Sequence, residues 1–110
     1  MDLQNELNYK SALLYKSVEE LKNTGKEYAS AYTKYRVELA KELVKLKDEG
    51  YAITLAGDIA RGKPEIAELK FKEISTEAIY KANLETINVL KIQIKILESQ
   101  IQREWSNNEE

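Results

Sequence analysis

The residues Ile87, Leu90, Ile94, Leu97, Ile101 and Trp105 follow one another at steps of three and four, which draws one apolar stripe along an α-helix. Ala78, Ala82, Val89, Ile92 and Ile96 repeat at similar spacing on an adjoining face. A helix with two such stripes has more apolar surface than one antiparallel neighbour covers, and it needs several neighbours. This sets the main expectation for the chain. It is all-α, and its best-supported property is binding, to copies of itself or to another protein.

Residues 87–97 are also rich in β-branched side chains, and Lys91-Ile92-Gln93-Ile94-Lys95-Ile96 alternates as a strand would. Helix is nevertheless expected. The three-four spacing enters from Tyr80 and Leu84 and leaves through Ile101 and Trp105, with no turn signal between.

A first long helix is written by Leu14, Val18, Leu21, Gly25, Tyr28, Tyr32, Tyr35, Leu39 and Leu46, with Glu42 at one site where an apolar residue is expected. Thr24 and Glu27 make a capping-box pattern that would suit a new helix start. The apolar phase passes through Gly25 without a slip, however, which favours one continuous helix with a weak point worth roughly 1 kcal/mol. This helix should stop near Glu49, because Gly50 can adopt the left-handed conformation that follows a helix end. Thr54 then reads as the N-cap of a short helix closed by Gly62. Pro64 suits the first position of the last helix, where its missing N–H is no loss, and Glu65 and Glu68 complement the helix dipole. The expected layout is a single domain over residues 1–105: helix 2–49, corner 50–63 with a short helix 55–61, and helix 64–104. Residues 106–110 form a frayed polar tail.

A forty-residue helix is roughly 60 Å long, whereas a compact chain of this length has a radius of gyration of about 13 Å. The expected fold is therefore an elongated antiparallel helical hairpin, coiled-coil-like, assembled into an oligomeric bundle that covers the second stripe. The interface residues of that assembly, or of a protein partner, are Ala82, Val89, Ile92, Ile96, Ile101 and Trp105.

Composition narrows the chemistry. The chain has no His and no Cys, so the commonest general base, thiolate nucleophiles and the usual zinc ligand sets are missing. No catalytic residue, metal or cofactor is expected. Glu38 and Glu42 stand four apart on a helix but among Lys34, Lys41 and Lys45, which reads as a solvated, ion-paired face. The net charge of −2 from 17 basic and 19 acidic residues gives no overall attraction to nucleic acid or anionic lipid. No stretch approaches the roughly 18 apolar residues of a membrane span. The first residues lack a signal-peptide pattern, so a cytoplasmic setting is expected.

Two further places hold candidate sites. Tyr28, Tyr32 and Tyr35, with Arg36 beside them, occupy a face where leucine would be the simplest choice. They read as the edge of a wide helix seam or as a stacking surface for a nucleotide. Thr54, Asp58, Arg61 and Lys63 gather at the corner among Gly50, Gly57 and Gly62, and loops held by rigid elements often carry function. A helix-turn-helix reading of residues 53–62 has no basic recognition helix after it.

Asp58-Ile59-Ala60-Arg61-Gly62 and Ile96-Leu97-Glu98-Ser99-Gln100-Ile101-Gln102-Arg103-Glu104-Trp105 resemble small helical proteins encoded by phages and prophages of Gram-positive bacteria, the match covering residues 37–105. Such proteins tend to be encoded in early regions beside replication and recombination genes, and no activity attaches to the group as a whole. The resemblance implies a phage or prophage context, the cytoplasm of an infected or lysogenic host, and no mechanism. The double apolar stripe and the missing catalytic groups make the expected protein a non-enzymatic accessory protein that binds a host or phage protein, for example to inhibit a defence or replication factor. Alternative readings are a nucleic-acid or recombination accessory protein, and a nucleotide-ligand sponge built on the tyrosine face.

Overall fold

The computed structural model describes residues 2–109, and all their regular structure is helical: α1 (Leu3–Asp48), α2 (Ile53–Gly62) and α3 (Pro64–Glu109). Residues 87–97 are helical throughout. The phase of the apolar positions across several turns outweighs a local β-branched run.

The helix ends follow from side chains that stand at them. Asp2 accepts a hydrogen bond from the Asn5 backbone N–H through Oδ1 at 2.7 Å, occupying one of the four donors a helix start leaves unpaired. At the other end of α1, the Gly50 N–H donates to the Lys47 carbonyl at 3.0 Å and the Tyr51 N–H to the Leu46 carbonyl at 3.2 Å. This paired pattern requires a left-handed residue after the helix, and Gly50 supplies it with a φ of 98°. α1 runs through Gly25 unbroken.

α2 begins earlier than the sequence reading has it. Its N-cap is Ala52, without a side-chain cap, because the Ala56 N–H already donates to the Ala52 carbonyl at 2.8 Å. Thr54 therefore sits inside the first turn rather than at the cap, and the helix covers Ile53–Gly62 rather than 55–61. Pro64 opens α3. α3 continues to Glu109, so the segment read as a frayed tail is helical for as far as it is described. Glu110 lies outside the described residues.

The chain divides into two compact units. One comprises residues 24–80: the second half of α1, all of α2 and the start of α3. Its core is Leu46 with Ala56 and Ala60, against which Leu39, Leu43 and Ile59 pack. Ala60 is 0% exposed, and the small residues on this face of α2 allow helices to approach closely. Ala31, Tyr35 and Ile66 are buried in the same unit.

The other unit comprises residues 2–23 and 81–109. Ile87, Leu90 and Leu97 are buried in it, so the first apolar stripe is the covered one. The Asn83 side-chain amide donates to the Ser17 carbonyl at 3.0 Å, tying α3 to α1 within this unit. Thr86, mid-helix, turns its hydroxyl back onto the Ala82 carbonyl at 2.9 Å, which satisfies it without a partner helix.

Candidate functional site

Three groups of side chains were singled out by the sequence, and the structure treats them differently. The tyrosine face lies within residues 24–80. Tyr28 donates its phenolic O–H to Glu77 Oε2 at 2.6 Å, and its ring stacks on Tyr80 with centroids 5.9 Å apart and planes at 30°. Tyr32 meets Tyr28 edge-on at 6.3 Å and has the Arg36 guanidinium 6.0 Å from its centroid. Tyr35 is buried, with the Lys70 ammonium 4.9 Å over its ring. Lys70 also donates to Glu73, itself buried, at 3.2 Å.

The face is therefore largely committed to the protein itself. A ring that stacks a ligand needs an open π-surface, and Tyr28 and Tyr35 spend theirs on Tyr80 and Lys70. Tyr32, exposed beside Arg36, is left. The Tyr28 phenol is pushed up to about 12, first by its hydrogen bond to Glu77, then by desolvation and the negative charges of Glu77 and Glu73. Sequence reading missed Glu77, Tyr80, Lys70 and Glu73 as partners, because they stand some 35 to 52 positions away from the tyrosines they serve.

The corner residues do not converge. Thr54, Asp58 and Arg61 are exposed. The Arg61 guanidinium lies so close to Gly57 that a Cβ there would stand 2.9 Å from its Nη1, so the glycine makes room for an arginine folded over its own helix. Lys63 forms an ion pair with Glu42 on α1. Their hydrogen bond is the main cause that lowers the Glu42 carboxyl and raises the Lys63 ammonium from their ordinary values. This pair fastens the start of α3 to α1 and explains the acidic residue at an apolar heptad site. Glu38 is ion-paired with Lys41 at 3.4 Å. No cluster of three or more acidic side chains suited to a metal occurs among the described residues.

The third group is the second stripe of α3. Val89, Ile92 and Ile96 are 43%, 60% and 53% exposed, and Ala82 is exposed as well. With about 100° of rotation per residue, these positions point away from Ile87, Leu90 and Leu97, so the stripe lies across the helix from the covered one rather than next to it. A shallow groove of about 380 Å³ runs along it, lined by Ile92, Lys95, Ile96, Ser99 and Arg103. Ile101 is half-buried on the side of Leu97 and does not belong to this stripe. Trp105, which by phase continues the covered stripe, is 64% exposed near the end of the helix.

Scattered apolar residues on a surface are ordinary, whereas a contiguous apolar face marks an interaction site. On the outer side of α3, Val89, Ile92 and Ile96 are exposed one after another, with Glu85 standing between them and Ala82. No helix among the described residues is long and apolar enough to cross a membrane. No family model, curated protein or solved structure matches the chain.

Proposed function

We propose that the protein is a non-enzymatic accessory protein of phage or prophage origin that acts by protein–protein binding. Its helices pair antiparallel as a hairpin, and it self-associates through the outer face of α3. Support for the pairing comes from contacts within each unit: Ser17 with Asn83 in one, Tyr28 with Glu77 and Glu42 with Lys63 in the other. Within residues 24–80, the step forward along α1 from Tyr28 to Glu42 is matched by a step back from Glu77 to Lys63, as an antiparallel pair requires.

The observation that carries the reading is the exposure of Val89, Ile92 and Ile96 in a row on one helix face. Ile92 and Ile96 are 60% and 53% exposed, so a surface that covers the rest of each would contribute roughly 1 to 1.5 kcal/mol per isoleucine. A nucleic-acid role has weaker support, since the net charge is −2 and backbone recognition depends on basic residues. The setting this implies is the cytoplasm of the host, with a host or phage protein as a further partner.

Light scattering behind size-exclusion chromatography tests the self-association. The expected mass is at least twice the 12.7 kDa of one chain, and Ile92→Glu with Ile96→Glu should return it to one chain without loss of helicity. A wild-type protein that stays at one chain mass up to high micromolar concentration removes the self-association, and one that also retains no partner from host lysate removes the reading.

A further inference from the structure

The outer face of α3 has an order of residues that selects both its occupant and the direction of approach. Along it stand Glu85, Val89, Ile92, Ile96, Ser99 and Arg103, separated by steps of four, three, four, three and four. That spacing reads the same in both directions about residue 94. All six lie on the uncovered side of the helix: Glu85, Ser99 and Arg103 are exposed with the three apolar residues between them. Glu85 and Arg103 are 18 residues apart, about five turns at 3.6 residues each, so they share one line along the helix. Neither side chain makes an ion pair or hydrogen bond among the described residues.

From this arrangement, and resting on the self-association proposed above, we propose that the face is occupied by the same face of a second copy, running antiparallel with a two-fold axis at residue 94. Positions alternating by four and three form layers in which, for antiparallel helices, each site meets the other class of site on the partner. Ile92 of one copy then packs on Ile96 of the second, and Val89 on Ser99. At both ends Glu85 of one copy meets Arg103 of the other. The parallel, in-register alternative sets Glu85 against Glu85 and Arg103 against Arg103, which like-charge repulsion disfavours. The two-fold symmetry is isologous and closes at two chains.

Because the chain has no cysteine, single exposed cysteines report the geometry directly. Val89→Cys and Ser99→Cys proteins, mixed in equal amounts under mild oxidation, should form the mixed disulfide in preference to either homodimer. Glu85→Arg alone and Arg103→Glu alone should each weaken self-association roughly tenfold, since each variant replaces two attractive pairs by two repulsive ones. The double variant should recover most of the loss. If the protein self-associates by light scattering but Val89→Cys crosslinks preferentially to itself, or the double variant fails to recover, the antiparallel geometry is wrong while self-association stands. A protein of one chain mass at every concentration overturns both.

Discussion

Tyr28 shows how one side chain that reads as a ligand platform becomes a structural part. Its ring and hydroxyl are both engaged, by Tyr80 and by Glu77. The hydrogen bond holds the phenol in its neutral, donating form, and this is why ionisation is pushed up to about 12 from 10.0. A folded-state value above the unfolded one means a contribution to stability that is complete below pH 10 and disappears as the pH rises through the folded value. Tyr28→Phe should therefore be less stable than wild type at neutral pH. The gap between the two, measured by urea denaturation, should close between about pH 10 and 12. Curves that fall in parallel across that window would mean that the Glu77 bond does not govern Tyr28. Glu42 and Lys63 follow the same logic with opposite charges, each holding the other in its ionised form.

At the scale of elements, glycine positions separate a conformational requirement from a tolerance. Gly50 sits at a φ of 98°, and a Cβ placed there would meet nothing within 4 Å. The penalty for Gly50→Ala is therefore a backbone penalty alone, about 1 kcal/mol for moving an L side chain into the left-handed region. Gly62 has the same open surroundings without the positive φ, so Gly62→Ala should be neutral or slightly stabilising. Thermal melts of the two variants check the contrast; equal destabilisation would show that Gly50 is not held by the turn. Gly50 and Pro64 were legible in the sequence because their effect is local and belongs to one residue. The two stripes of α3 were legible because periodicity survives over many turns; the same 100° spacing sets them across the helix from one another, where the sequence reading has them on adjoining faces, and burial adds which of the two is covered. What the sequence left hidden depends on distant partners: the early start of α2, set by a backbone bond and by the packing of Ala56 and Ala60 on Leu46, and the aromatic cluster that absorbs Tyr28.

For the whole molecule, the balance of 17 basic against 19 acidic residues matters as much as the apolar stripe. With a net charge this small, long-range repulsion between copies is weak, and short-range contacts, on the proposed reading those of the outer face of α3, decide whether they associate. Association that requires the folded chain stabilises it by mass action, so the melting temperature becomes a function of concentration. A hundredfold increase in protein should raise it by on the order of 5 °C, given the entropy of unfolding of a domain this size. Ile92→Glu should abolish that dependence while leaving the melting temperature of the dilute protein close to wild type, because Ile92 is exposed in the single chain. Far-UV circular dichroism melts at both ends of the range provide the comparison. A wild-type melting temperature that does not move would mean that the outer face of α3 stays in water, and that the covered stripe with the Leu46 core accounts for all of the stability.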